Sequence, residues 1–135
     1  MFYRFAANVP LRWVDVDSAG VVNNAVYLSL MEQARYLYFT HLGLLDGHQV
    51  PFLLAEANVK FLRPGRIAMK VEVATRVGAL GTSSFQMDFE VRAAEEVLAT
   101  GHAALVWVDE AMRPLPIPGN VRAAIEQFEE IESGR

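Results

Sequence analysis

The chain has 135 residues, a formal net charge of −4 and no cysteine, and 53% of its residues are hydrophobic. This length suits a single domain over residues 1–135, and so large an apolar fraction in a short chain predicts self-association. The missing cysteines exclude disulfides, thiolate catalysis and thiolate metal sites, and the scattered basic residues offer no concentrated positive face for a nucleic acid. Neither a signal-peptide pattern nor an apolar run of the ~18–20 residues needed for a membrane span is present, so we expect a cytoplasmic protein.

The first segment places apolar residues at every second position from Tyr3 to Trp13. A period of two predicts a β-strand. Pro10 marks an edge position or a bulge within it, because proline cannot donate a hydrogen bond to a neighbouring strand. Residues 15–20, DVDSAG, are rich in turn formers and predict a loop.

A long helix is predicted next, from Asn24 to Leu42. Apolar residues cover most of its circumference, which is typical of a buried helix. Asn23 is a suitable N-cap and Gly43 a suitable C-terminal stop.

Two charged residues on this helix, Glu32 and Arg35, lie three positions apart. Residues at this spacing can pair, and buried charges need partners. We therefore expect a structural ion pair, with a role beside the functional site as the alternative.

Four further strands are predicted, over residues 53–61, 71–77, 85–91 and 97–108, and the last is apolar on both faces, as in a central strand. Short connections at 64–65, 78–81 and 93–96 predict antiparallel hairpins. A short amphipathic helix is predicted over residues 120–131, with a fraying end over 129–135. One long helix wrapped by one curved antiparallel sheet is the economical arrangement of these elements, and we expect a second subunit to cover the rest of the helix.

The loop before the long helix carries the candidate chemistry. Asp15 and Asp17 lie just ahead of a helix N-terminus, where unpaired backbone N–H groups and the helix dipole can polarise a carbonyl and stabilise an oxyanion. A carboxylate there could attack that carbonyl or deprotonate a water. A turn with capping carboxylates is the alternative for both residues, and it is the interpretation we favour for Asp15.

Residues 12–28, RWVDVDSAGVVNNAVYL, resemble the signature of the 4-hydroxybenzoyl-coenzyme A thioesterase branch of the hotdog superfamily. The resemblance continues through MEQAR at 31–35. Weaker blocks follow in the family's order: VKFLRPG at 59–65, GTSSF at 81–85, LVWVD at 105–109 and RPLPIP at 113–118.

The resemblance implies an α+β hotdog fold, in which a curved five-stranded antiparallel sheet wraps a long helix. It implies an acyl-CoA thioesterase with Asp17 as the catalytic carboxylate and the backbone N–H of Asn24 as the carbonyl donor. It also implies homodimers, or dimers of dimers such as a homotetramer, that share active sites between subunits, and no cofactor, since coenzyme A is part of the substrate. Some members carry a histidine where this chain has Asn24. This chain therefore lacks a candidate general base or ligand-orienting group beside Asp17.

Several points stay open on the sequence alone. Asp17 is either the nucleophile or the general base, the carrier is either coenzyme A or acyl carrier protein, and the acyl group is unspecified. A non-catalytic acyl-thioester-binding protein is the main alternative. A hotdog dehydratase is a weaker one, because it needs a histidine near an acidic group in the site.

The remaining candidate residues are substrate contacts. Gly20 and Val22, in the loop before the helix, are predicted to approach the ligand. A basic cluster could bind the phosphates of coenzyme A, although a solvated loop is the plainer interpretation. Two adjacent serines could line the pantetheine path, of which period two allows at most one. The basic cluster is Lys60, Arg63 and Arg66, the serines are Ser83 and Ser84, and the spacing of His41, His48 and His102 predicts no metal site.

Overall fold

A computed structural model of the protein describes residues 2–45 and 50–131. The predicted C-terminal fraying end lies largely outside these residues, as does His48. None of the helices in the described ranges has the length and hydropathy needed to cross a bilayer. The elements are β1 (Phe5–Asn8), a short 3-10 helix (Trp13–Asp15), α1 (Val26–His41), β2 (Phe52–Phe61), β3 (Glu72–Leu80), β4 (Ser84–Ala93), β5 (Glu96–Trp107) and α2 (Gly119–Glu129).

The five strands form one antiparallel sheet in the order β1-β3-β4-β5-β2. Strands β3, β4 and β5 are joined by the two short turns that the sequence predicts. Strand β5 has a neighbour on both sides, as its two apolar faces indicate, although β4 is the middle strand. The predicted arrangement of one long helix, a five-stranded antiparallel sheet and a short C-terminal helix is confirmed.

The predicted hairpin at Pro64–Gly65 is wrong. Strand β2 pairs with β5, whereas β3 pairs with β1 and β4. The chain therefore crosses from one edge of the sheet toward the other between β2 and β3. A turn-forming Pro-Gly pair predicts a change of direction but does not determine which strand comes next in the sheet.

Two element boundaries also differ from the prediction. The first strand ends at Asn8, before Pro10, and the chain then forms the 3-10 turn instead of continuing extended to Trp13. Helix α1 begins at Val26, two residues late, because the Val26 N–H bonds to the Asn23 carbonyl in a preceding turn (2.9 Å).

Helix α1 buries one face against the sheet and leaves the other open. Tyr38 and Phe39 are fully buried, whereas Leu28 is 44% exposed and Tyr36 is 37% exposed. The prediction of a helix buried nearly all round is therefore wrong for the single chain. An apolar residue so exposed on a core helix indicates a face that the fold alone does not cover.

Helix α2 is anchored to the core by one carboxylate. Glu129 Oε2 accepts hydrogen bonds from the Tyr38 hydroxyl (2.6 Å) and from the Val77 N–H (3.0 Å). The Val77 amide is available because the β3–β4 register shifts between Val77 and Ala79. Glu129 thus joins α2 to both α1 and β3.

Candidate active site

The segment that carries Asp17 folds as a small hairpin ahead of α1. Val16 pairs with Val22 across an antiparallel bridge. The Asp17 N–H bonds to the Val21 carbonyl (2.9 Å), and the Asn23 N–H bonds to the Asp15 carbonyl (2.9 Å). These bonds place Asp17 at the tip of the hairpin and lead its base directly into α1.

The Asp17 carboxylate forms the turn and still keeps one oxygen available. Its Oδ1 accepts hydrogen bonds from the Ala19 N–H (2.9 Å) and the Val21 N–H (3.1 Å). Gly20 allows this turn by adopting a φ of +76°. Asp17 is exposed, and its Oδ2 has no hydrogen-bond partner in the described ranges. The turn-forming and chemical roles that the sequence leaves open are therefore compatible.

Asp15 holds the base of the hairpin. Its carboxylate is buried and accepts hydrogen bonds from the backbone N–H of Arg12 (2.8 Å) and from Nη2 of the same residue (2.8 Å). The hydrogen bond from the Arg12 side chain keeps the pKa of Asp15 below its usual value. This geometry is the structural role that the sequence favours for Asp15.

The start of α1 presents one unused backbone donor. The N–H of Ala25 bonds to the Asn23 side chain (3.1 Å), and those of Val26 and Tyr27 bond to the Asn23 and Asn24 carbonyls. The Asn24 N–H has no partner among the described residues, and Asn24 is exposed. It is the donor position that the family resemblance implies.

Basic residues adjoin this donor. Asn24 and Arg63 line the same cavity of about 280 Å³, together with Tyr27 and Phe61. Arg63 also pairs with Glu96 (3.3 Å), and both side chains are exposed. The segment that follows bonds to the hairpin through a bridge between Arg66 and Val21.

Lys60 lies apart from Asn24 and Arg63. The ring of Phe61 contacts that of Tyr27, with centroids 5.2 Å apart, so Phe61 points toward α1. Side chains alternate along a strand, and Lys60 therefore points to the outer face of the sheet. Of the three predicted phosphate-binding residues, Arg63 lines the Asn24 cavity, Arg66 lies beside the hairpin at Val21, and Lys60 faces away from both.

Val22 is part of the core. Its side chain is 3% exposed, and its N–H bonds to the Gly65 carbonyl (2.8 Å). A Cβ on Gly65 would lie 3.0 Å from both Val22 Cγ2 and the Tyr27 hydroxyl, so glycine is needed for this close approach. In the single chain Val22 fixes the hairpin against the 62–71 connection and offers the ligand no free group.

Ser83 and Ser84 lie at the other end of the sheet. Ser84 pairs with Val106, whereas Phe61, next to Asn24, pairs with Ala99. The seven residue steps of β5 from Ala99 to Val106 span about 23 Å at the rise of an extended strand. One chain therefore does not bring the serines to the Asp17 end.

A cavity that the sequence did not predict lies between the open face of α1 and the first half of β2. It has a volume of about 590 Å³ and is called the α1–β2 cavity below. Arg35 lines it while being only 6% exposed, and its guanidinium lies 5.5 Å from the centroid of the Phe89 ring. The Arg35 Nε has no hydrogen-bond partner among the residues that the structure describes. The predicted ion pair with Glu32 is not formed in the described part of the chain.

Metal ligands are not grouped in the part of the chain that the structure describes. No set of three His, Asp or Glu side chains there is arranged to hold an ion. His41 ends α1, and His102 on the outer face of the sheet bonds through Nδ1 to Asp88 Oδ1 (2.7 Å). The absence of a metal site and of a cofactor stays a prediction.

Comparisons with known proteins bear on the whole chain. Residues 11–125 match the family model described as the thioesterase-like superfamily. The chain is 31% identical over 114 residues to the 1,4-dihydroxy-2-naphthoyl-CoA hydrolase of Nostoc punctiforme, covering 81% of this chain and 77% of that protein. It is 28% identical over 126 residues to the chloroplastic acyl-acyl carrier protein thioesterase ATL2 of Arabidopsis thaliana, covering 88% of this chain. The chain spans 66% of the length of that relative.

A solved structure agrees with these matches. The thioesterase of Thermus thermophilus, determined in complex with coenzyme A and Zn, superposes with a TM-score of 0.86 and 37% sequence identity over 96% of this chain and 98% of that one. The predicted hotdog fold is confirmed, and the prediction of a thioester hydrolase agrees with the names of these relatives. The 4-hydroxybenzoyl branch stays a prediction. The chain belongs to the thioesterase-like superfamily.

Proposed function

We propose that the protein hydrolyses an acyl-coenzyme A thioester to the free acid and coenzyme A. The observation that carries the proposal is the Asn24 N–H at the start of α1, which has no partner among the described residues. It comes directly after a hairpin whose tip holds Asp17, and Oδ2 of Asp17 has no partner among the same residues. Support also comes from relatives named as a CoA hydrolase and as a thioesterase complexed with coenzyme A.

The hairpin sets the distance between the Asn24 N–H and the Asp17 carboxylate. Asp17 lies opposite Val21, and the three residues from Val21 to Asn24 span about 10 Å of extended chain. A thioester carbonyl bound to the Asn24 N–H would therefore lie within reach of the Asp17 side chain, either directly or through one water. The helix dipole adds to the stabilisation of the developing oxyanion.

Two routes use this geometry. As a general base, Asp17 Oδ2 takes a proton from a water that attacks the carbonyl carbon. As a nucleophile, Oδ2 attacks the carbon itself, forms an anhydride and is regenerated by water. In both routes the tetrahedral oxyanion collapses with cleavage of the C–S bond, and the thiolate of coenzyme A leaves and is protonated. Single turnover in oxygen-18 water distinguishes them, because only the anhydride route puts label into the Asp17 carboxylate.

Arg63 and Arg66 are the proposed phosphate contacts. Arg63 lines the Asn24 cavity, and Arg66 follows it in the segment that pairs with Val21, so both lie on the surface over which the pantetheine arm and diphosphate of a thioester held at Asn24 would leave the site. Guanidinium groups suit phosphate oxygens through paired hydrogen bonds. Lys60, on the outer face of the sheet, is left out of this contact.

Replacing Asp17 with Asn tests the carboxylate. Loss of a positioned acid–base group lowers turnover by about 10²–10⁴-fold, and we expect a loss of this size across a panel of acyl-CoA thioesters. The Asn side chain can still accept the Ala19 and Val21 hydrogen bonds, so the melting temperature should stay within a few degrees. A folded Asp17→Asn protein with unchanged turnover would contradict the assignment of Asp17 as the catalytic carboxylate.

The Asn24 donor can be tested by a matched pair of variants. Asn24→Ala keeps the backbone N–H, whereas Asn24→Pro removes it. Turnover should change only a few-fold in the Ala variant and fall about 10²–10³-fold in the Pro variant, as for loss of an oxyanion donor. Thermal unfolding of both variants controls for damage to α1. Equal turnover in the two variants would assign the carbonyl to another donor.

We propose that the functional unit contains at least two subunits joined through β2. This ten-residue strand lies at the edge of the sheet, and Leu53 and Leu54 on it are 43% and 46% exposed. A long exposed apolar edge is a template for pairing with another chain. Pairing of β2 with β2 of a second subunit, related by a two-fold axis, would extend the sheet and would also cover the open face of α1.

A carrier other than coenzyme A is the second candidate, favoured by the similarity to the acyl-acyl carrier protein thioesterase ATL2. Parallel assays with acyl-CoA and acyl carrier protein thioesters of one acyl group decide between the two. Binding without turnover in both assays would instead favour a non-catalytic acyl-thioester-binding protein. A dehydratase is less favoured, because neither histidine in the described ranges lies at the start of α1: His41 ends that helix, and His102 bonds to Asp88 on the outer face of the sheet.

A further inference from the structure

Gly65 contacts both of the elements that carry the proposed catalytic groups. Its carbonyl accepts the Val22 N–H of the hairpin (2.8 Å). A Cβ at position 65 would lie 3.0 Å from Val22 Cγ2 and 3.0 Å from the hydroxyl of Tyr27, in the first turn of α1. Gly65 therefore joins the hairpin that carries Asp17 to the helix turn that follows Asn24.

Tyr27 is fixed between Gly65 and the start of α1. It is 2% exposed, and its ring meets the ring of Phe61 edge-on. Its backbone N–H bonds to the Asn24 carbonyl (3.3 Å), which ties the side chain to the helix N-terminus. Burial raises the pKa of the Tyr27 hydroxyl, and a hydrogen bond from the Gly65 N–H opposes that rise. Since a buried hydroxyl without a partner is unfavourable, this contact holds Tyr27 against Gly65.

The chain on either side of Gly65 carries the proposed phosphate contacts. Residues 63–66 read Arg-Pro-Gly-Arg and are called the 63–66 segment below. Arg66 pairs with Val21 across an antiparallel bridge. Val21 in turn exchanges hydrogen bonds with Asp17, accepting from its N–H (2.9 Å) and donating to its Oδ1 (3.1 Å). A shift of the segment therefore moves the hairpin tip and the first turn of α1 together.

Phosphate binding is able to fix this segment. The Arg63 side chain is exposed and pairs with Glu96 at the surface, where an ion pair contributes little. A phosphate bound by the arginines on both sides of Pro64–Gly65 replaces that weak pair with charge-assisted hydrogen bonds. Contacts to a remote part of a substrate raise turnover when they fix the geometry of the reacting groups. The cost of misplacing such a group by ~1 Å reaches about 100-fold in rate.

We propose that the 63–66 segment couples binding of the coenzyme A phosphates to catalysis. Phosphates that contact the two arginines of the segment fix Gly65. Gly65 in turn sets the position of the hairpin tip and, through Tyr27, of the Asn24 N–H. Tyr27 and Gly65 are positioning residues, because they act through the hairpin and the helix and not on the thioester itself. This proposal rests on the proposed function.

The test compares an acyl-CoA with the acyl-pantetheine thioester of the same acyl group, which lacks the phosphates. Both carry the acyl group that turns over fastest in the acyl-CoA panel, and rates are measured in single turnovers so that release of coenzyme A does not limit them. In wild-type protein the saturated rate with acyl-pantetheine should be about 3- to 10-fold lower than with acyl-CoA, the range of one hydrogen bond. Tyr27→Phe should lower the acyl-CoA rate by about the same factor and change the acyl-pantetheine rate by less than about two-fold.

Tyr38→Phe is the matched control, since it removes a hydroxyl from the far end of the same helix, where that hydroxyl bonds to Glu129. It should lower stability and leave the ratio of the two rates unchanged. Gly65→Ala is a second variant: its methyl group would displace Tyr27 or Val22, and it should lower the ratio as Tyr27→Phe does. If Tyr27→Phe lowers both rates by the same factor, Tyr27 only stabilises the fold and the proposal is overturned. Equal wild-type rates with the two substrates overturn it as well.

Amide hydrogen exchange separates this proposal from the proposed function, because it needs no turnover. The Val22 N–H, bonded to Gly65, reports on the 63–66 segment. Coenzyme A should slow its exchange at least about 3-fold relative to pantetheine in wild-type protein, and no effect there overturns the proposal. If coenzyme A slows this exchange but no thioester turns over, the proposed function fails and the link from phosphates to hairpin stands. If turnover depends on Asp17 but the ratio of rates does not respond to Tyr27→Phe, only the coupling fails.

Discussion

At the scale of single residues, the interaction of Asp15 with Arg12 holds the hairpin that presents Asp17. Asp15 is 3% exposed and has a lowered pKa. A carboxylate whose pKa is lowered by folding stabilises the protein above its unfolded pKa, about 3.9 for Asp, and this stabilisation is lost as the pH falls through the folded pKa. We expect Asp15→Asn to lower the free energy of unfolding by about 1–3 kcal/mol at pH 7. Urea unfolding across a pH series should show the difference between wild type and variant shrinking below pH ~4; a difference that persists unchanged there would contradict an ionic role.

At the scale of elements, α2 depends on Glu129, whose carboxylate serves both the Tyr38 hydroxyl and the Val77 amide. Burial and the neighbouring Glu129 raise the pKa of Tyr38 well above its usual range, so its hydroxyl stays a donor at all ordinary pH values. Tyr38→Phe removes one donor and should cost about 1 kcal/mol, whereas Glu129→Leu leaves both donors without an acceptor and should cost about 2–4 kcal/mol. Midpoints of urea unfolding measure both. Glu130→Gln, at an exposed ion pair with Arg4, is the control and should change stability by less than about 0.5 kcal/mol.

At the scale of the whole molecule, β2 links assembly to activity. A lysine at Leu54 places a charge on the proposed interface, and we expect a monomeric protein that has lost most of its turnover. Met112→Lys is the matched control: Met112 is 63% exposed in the β5–α2 connection, and both assembly and turnover should be kept. Sedimentation velocity and the thioesterase assay give the two readouts. A Leu54→Lys dimer with full activity would place the interface elsewhere.

Local patterns predict much of this fold because burial alternates along β1, β4 and most of β5 and covers one side of the long helix. The position of Asp17 before α1 follows from the same patterns together with the family resemblance. The pairing of β2 with β5 could not be predicted, since 34 residues lie between these strands and no local feature determines which edge β2 joins. The α1–β2 cavity was missed for a related reason: spacing places Glu32 and Arg35 on one helix face but does not determine which side chains they contact. Ser83 and Ser84 illustrate the same limit, because only a second chain could bring them near Asn24.

The pairing of β2 with β5 also has a consequence for synthesis on the ribosome. Strand β2 ends at Phe61 and its neighbour begins at Glu96, 35 residues further along the chain. At about 5–20 residues per second, β2 leaves the ribosome roughly 2–7 s before its partner strand has begun to appear. During that interval its apolar residues are protected by neither β5 nor a second subunit. We therefore expect chaperones to bind the nascent chain during this interval. We also expect slow translation of residues 62–96 to lower the yield of folded protein.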